Sequence, residues 1–133
     1  VIVFLAVSVL KPTIVHRNVT IREGYVHVLH PQSDPMTDPV NAARVCAAID
    51  AALRATGYVT VMFDSRACPA PNNEVRDVYW AWTKAQTLHK RVAILANSAM
   101  TRVSGNMTAI AHDAPLRSFA DEAEAVKWLL GKG

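Results

Sequence analysis

The sequence predicts an α/β domain built on a mixed sheet, and three observations carry that prediction. Two apolar runs, residues 59–64 and 91–97, read as strands with no polar face to offer water. Helical patterns alternate with them, the spacing expected of strands joined by crossover helices. A third short strand, Leu116–Phe119, leads into a last helix that opens on Asp121. Strands apolar on both faces require cover, so both central runs are expected to be parallel neighbours and almost wholly buried.

The elements follow in order. The first ten residues, Val1 to Leu10, are almost wholly apolar, and Lys11-Pro12 follows. Ten residues are too few to cross a bilayer, and the stretch lacks the charged start and cleavage site of a signal peptide. Residues 1–12 are therefore read as an apolar extension or an extra strand, and 13–131 as one domain. Val19-Thr20-Ile21 and Tyr25-Val26-His27-Val28-Leu29 flank Arg22-Glu23-Gly24, which reads as an N-terminal β-hairpin. Prolines at 31, 35 and 39 make the next stretch irregular.

Asp38 followed by Pro39 is a helix start, an N-cap carboxylate and then proline at the first helical position. Ala42, Cys46, Ile49 and Leu53 recur at helical spacing, and Gly57 supplies the stop. Asn72 or Asn73 caps a second helix with Val75, Val78, Tyr79, Trp82 and Ala85 inward. Ser98 caps a third, with Met100, Val103, Met107 and Ile110 inward; Gly105 inside it costs about 1 kcal/mol relative to alanine. Asp121, Glu122 and Glu124 open the fourth, which suits the helix dipole.

Composition narrows the function classes. At 133 residues, with 51% hydrophobic and 19% charged, the chain can bury a core without metal or disulfide support. Its net charge of +3 comes from scattered basic residues, with only short clusters such as Lys90-Arg91. No electrostatic stripe argues for nucleic acid. Two cysteines are no disulfide framework, and Cys46 falls on a helix's apolar stripe, so a reducing, cytoplasmic setting is expected.

Catalytic and ligand motifs are sparse. The five histidines (16, 27, 30, 89 and 112) show no zinc spacing. His27 and His30, three apart on a strand, point to opposite faces. Asp34 and Asp38 near His30 are a candidate cation cage, but Asp38 is already explained as a cap. No metal and no cofactor is expected. Glycine-rich phosphate loops are absent, although an anion would still find helix N-termini at Asn73 or Ser98. Ser65 and Cys68 lie just past a central strand, where open α/β sheets bind ligands. As nucleophiles they need a base such as His89 or His112 within reach.

Trp80 stands about 200° around its helix from Trp82 at 100° per residue. Arg76, Trp80, Thr83 and Thr87 thus line the polar side, and an exposed tryptophan beside charges suggests a contact face. The alternative is that Trp80 packs on a neighbouring loop or strand edge.

In element order and in its ending, the chain resembles the STAS domains of anti-sigma-factor antagonists, particularly their SpoIIAA-like relatives. The resemblance covers about residues 19–130 and rests on Val61-Met62-Phe63-Asp64-Ser65, on the run 91–97, and above all on Leu116-Arg117-Ser118-Phe119-Ala120-Asp121-Glu122-Ala123-Glu124-Ala125-Val126-Lys127-Trp128-Leu129. It implies a STAS-like sheet with about four helices, mainly on one face. It also implies a non-enzymatic bacterial regulatory or binding module that contacts a protein partner, a small apolar ligand or a second copy of itself. In the antagonists a serine opening a helix is phosphorylated, which breaks binding to a kinase. Here that stretch reads Ala70-Pro71-Asn72-Asn73-Glu74 and has no hydroxyl. The binding residues expected on this reading are Asp64, Ser65, Arg66, Asn72, Asn73, Arg76 and Trp80. A small hydrolase-type enzyme using Ser65 or Cys68 is the alternative.

Overall fold

The computed structural model describes residues 13–32, 36–67 and 71–131, with the side chains of 13–15 excluded. Among these residues six strands form one sheet in sequence order: β1 (Thr13–His16), β2 (Val19–Ile21), β3 (Val26–Leu29), β4 (Thr60–Asp64), β5 (Arg91–Leu95) and β6 (Leu116–Phe119). The first three pair antiparallel and the last four pair parallel, so β3 is the strand at which the sheet changes sense. The helices are α1 (Pro39–Thr56), α2 (Asn73–Ala85), α3 (Ala99–Ala111) and α4 (Glu122–Leu129).

The mixed sheet, the hairpin of β2 and β3 and the central parallel pair agree with the sequence reading. Strand β4 is buried throughout, whereas β5 begins on an exposed Arg91. That guanidinium lies over the Trp128 ring, 5.4 Å from its centroid, and donates to the Trp128 carbonyl. An edge strand, Thr13–His16, precedes the hairpin. Its turn is fixed by Asn18, whose N–H donates to His16 Nδ1 and whose amide donates to the Leu29 carbonyl. Residues 1–12, Asp34 and Cys68 lie outside the described residues.

Alternation along the strands sorts side chains to two faces. Val26, Val28, Val61, Phe63 and Val92 face α1, and Tyr79 and Trp82 of α2 join them. Met62, Ala93 and Leu95 face the other way, onto Ala125 and Leu129 of α4. Helix α3 leans on edge strand β6 from the α1–α2 side, because Ser118, beside Gly105, stands in register with Ile94 of the first cluster. Three helices therefore cover one face and a single short helix the other.

The predicted caps are in place. Asp38, Asn72, Ser98 and Asp121 each accept a backbone N–H of the first turn, and Gly57 closes α1 at φ +76°. Cys46 is buried in α1, and burial, with Asp50 beside it, pushes its thiol up to about 12.

Two helix faces differ from the periodicity. In α2, Thr83 is buried and donates its hydroxyl to the Tyr79 carbonyl, so it does not share the polar side with Trp80, and Ala85 is exposed. In α3 the expected apolar stripe is turned outward. Met100 is 81% exposed, Val103 58%, Met107 66% and Ile110 81%. The side turned toward the sheet is Arg102, Gly105, Asn106 and Ala109, also at helical spacing: Gly105 and Asn106 meet Ser118 of β6, Arg102 reaches the carbonyls after β5, and Ala109 is buried. A β-carbon at Gly105 would stand 3.1 Å from Ser118 Oγ, so its small size lets the helix lie close.

Candidate functional site

Strands β3, β4 and β5 end at Leu29, Asp64 and Leu95, and the loops beyond them lie at the strand ends where open α/β sheets bind ligands. Asp64 closes β4 with its side chain on the α4 face, because Phe63 before it points to the opposite cluster. Its carboxylate takes a bidentate pair from Arg66, at 3.0 Å from Nε and 2.8 Å from Nη2, and also accepts the Arg66 backbone N–H at 3.2 Å. The same Nη2 lies 3.5 Å from Glu122 Oε1 at the start of α4. A single guanidinium thus bridges the end of a central strand to a helix start.

Beneath that bridge lies His27 of β3, only 4% exposed. One of its ring nitrogens and carboxylate oxygens of Asp64 and Glu122 all lie within 4.8 Å of one another. Burial, reinforced by Arg22, holds the His27 pKa below its ordinary value, and the pull of Asp64 and Glu122 does not reverse that. Burial acts to raise the Asp64 pKa, but the Arg66 hydrogen bonds and charge outweigh it and the net direction is down. The result is a neutral imidazole beside an ionised carboxylate.

Asp64 and Arg66 of this cluster are among the residues expected from the sequence, and His27 and Glu122 are not. His27 looked like a lone strand histidine and Glu122 like a dipole-matched helix opener. The residues lie in three elements, and only the β3–β4 register and the placement of α4 bring them together.

The remaining expected residues do not join this cluster. Ser65 lies next to it and donates its backbone N–H to the Leu95 carbonyl, while Asn97 holds the loop by donating to the Arg66 carbonyl. Asn72, Asn73 and Arg76 sit at the start of α2, whose cover of Phe63 puts that helix on the other side of the sheet. There Asn72 donates to the Thr37 carbonyl, and Arg76 reaches Asn73 and the Pro71 carbonyl. Trp80 is half-buried, edge-on to His112 at 5.6 Å, with Lys84 Nζ 5.5 Å from its centroid. It packs on the end of α3.

Neither proposed base is beside Ser65. His89 precedes β5 and His112 precedes β6, at the opposite ends of strands that run about 16 Å over five residues. His89 is buried, stacks on Trp82 at 3.9 Å and binds the Thr83 carbonyl.

A second candidate surface is the outward stripe of α3. Met100, Val103 and Met107 border an open apolar groove with Ala99, Ser104 and Thr108, and Ile110 is exposed one turn further on. By contrast, the hollow between His30, Met36, Asp38 and Tyr79 measures about 10 Å³, room for one water at most.

Comparison with known proteins decides the fold. The chain is similar to an uncharacterized protein of the DUF3478 family from Shewanella loihica PV-4, whose crystal structure has a SpoIIAA-like fold. The two superpose with a TM-score of 0.59 at 16% identity, over 79% of this chain and 83% of that one. This fold is SpoIIAA-like. No family model and no curated protein matches the sequence. Within the SpoIIAA-like frame, α3 and its exposed stripe lie on the three-helix side, and the His27–Asp64–Glu122 cluster on the side of α4. No helix among the described residues is long and apolar enough to cross a membrane.

Proposed function

We propose that this chain is a non-enzymatic, STAS-like binding module whose contact surface is the outward face of α3, and that the occupant of that face is the α3 of a second copy. One observation carries the reading. Four large apolar side chains, each 58–81% exposed, stand at positions 100, 103, 107 and 110 of one helix. That alternating three-and-four spacing is the seam of a pair of packed helices. A stripe of this size on a small domain has no role in its own core.

The second copy is favoured by charge and by area. The flanking positions Ala99, Thr101, Ser104, Thr108 and Ala111 carry no charge, so two copies face each other without repulsion. Arg102, the helix's cation, is bound to the Ala96 and Asn97 carbonyls at 2.7 and 2.9 Å. Covering both stripes is worth on the order of 10 kcal/mol at about 1.5–3 kcal/mol per fully buried side chain. Association itself costs roughly 4–15 kcal/mol, so the expected pairing is weak, about 10–1000 μM. A small apolar ligand fits less well, because such ligands bind in enclosed cavities of about 300–1,000 Å³, whereas the α3 groove is open. A phospho-switch at the start of α2 has no hydroxyl to act on.

Sedimentation equilibrium of the purified chain across that concentration range tests the reading. A monomer–dimer equilibrium that Met107→Glu abolishes is expected. A chain that stays monomeric throughout, or a dimer indifferent to that change, refutes the second copy as occupant.

A further inference from the structure

The geometry points to a divalent transition-metal site formed by His27, Asp64 and Glu122, with Arg66 as the resident cation that the metal displaces. The donor set is one imidazole nitrogen and two carboxylates, which suits zinc or a neighbouring first-row ion better than calcium or magnesium. Their ligand atoms already lie within 4.8 Å of one another, and ligands of a tetrahedral zinc stand roughly 3.4 Å apart. Glu122, on a half-exposed first helical turn, can supply the closing movement.

Carboxylates together at a surface are common and by themselves indicate nothing. The observation that distinguishes this cluster is His27. It is 96% buried, counting from its 4% exposure, and makes no hydrogen bond among the described residues, yet its ring nitrogen is aimed at both carboxylates. Its contact with the Tyr25 ring is edge-on at 6.5 Å.

Arg66 accounts for the charge balance. Its guanidinium now neutralises part of the charge on Asp64 and Glu122 from a position between them. The side chain is 37% exposed and can swing into solvent. A dication bound to both carboxylates then leaves the cluster neutral. The positive charge of Arg22 acts at His27 and opposes the ion modestly. Metal and Arg66 therefore compete, and this competition separates the site from any chance zinc contact elsewhere.

Calorimetric titration of chelator-stripped chain with Zn²⁺ at neutral pH tests this. One ion per chain is expected. Glu122→Gln should weaken binding about ten-fold or more, and Arg66→Ala should tighten it several-fold by removing the competitor. Both positions are at the surface, so both variants should fold. With Co²⁺ in place of Zn²⁺, a visible spectrum without a thiolate charge-transfer band is expected, which rules out Cys46 and Cys68 as ligands. Absence of binding, binding indifferent to both variants, or a thiolate band overturns the assignment.

Discussion

The side-chain carbonyl of Asn106 accepts the backbone N–H of Ser118 at 2.7 Å, and that bond sets the rotation of α3. Ser118 lies on β6, the last strand of the sheet, whose outer edge meets no further strand among the described residues. A helix-borne amide satisfies that edge and covers it. Holding Asn106 and Gly105 against β6 turns Met100, Val103, Met107 and Ile110 away from it.

The bond predicts a specific pattern of loss. Asn106→Leu leaves a nearly buried Ser118 amide without its acceptor and should cost about 1–3 kcal/mol. Asn106→Asp keeps an acceptor oxygen and should cost less. Urea melts of the two variants check the ranking. Equal losses would mean that the side chain acts by packing and not through its carbonyl.

The two tryptophans of α2 should separate cleanly in stability. Trp82 packs edge-on against Phe63 at 5.9 Å, stacks on His89 and donates its Nε1–H to Asp50 at 3.1 Å. Truncating it to alanine should cost about 3–5 kcal/mol. Trp80 touches His112 and Lys84 at the edge of the fold, so Trp80→Ala should cost about 1 kcal/mol. Denaturant midpoints of both variants give the comparison, and a larger loss at Trp80 would place it in the core.

Acid should destabilise the metal-free chain in two steps. His27 and Asp64 both have folded pKa values below their ordinary values of 6.5 and 3.8. For each, the stabilisation is complete above the ordinary value and is lost as pH falls through the folded one. The first loss therefore begins as pH drops below about 6.5 and the second below about 4. His27→Asn should remove the first step. Arg66→Ala should move the second to higher pH, because burial then acts on Asp64 without its counter-ion. Urea midpoints between pH 2 and 8 in the presence of chelator read both.

Much of the fold was legible because it rests on local chemistry. Asp38-Pro39, Asn72, Ser98 and Asp121 announce their helices through caps, and residues 59–64 and 91–95 announce buried strands by having no polar face. Strand β1 was hidden, because an edge strand of four residues has little pattern of its own. The α3 face was misread for an instructive reason. Apolar periodicity identifies the stripe that wants cover, and in this helix the stripe facing the sheet is small and polar instead. The site was half legible. Asp64 and Arg66 stand two apart in one loop, but His27 and Glu122 reach them only through sheet register and the crossing of α4. Asn72, Asn73, Arg76 and Trp80 were grouped with Asp64 by sequence proximity, and the alternation of β4 puts the two groups on opposite faces.

The apolar side of α3 faces away from this chain's own core. Denaturant melts of Met107→Asp and Ile110→Asp, run at protein concentrations below the dimer range, test it most directly. Exposed substitutions fall within about 0.5 kcal/mol, and that small change is the result the structure predicts for both. A loss of about 3 kcal/mol or more in either would mean that a charge has been forced into the core, with α3 rotated as its periodicity suggests, and the binding face would not exist.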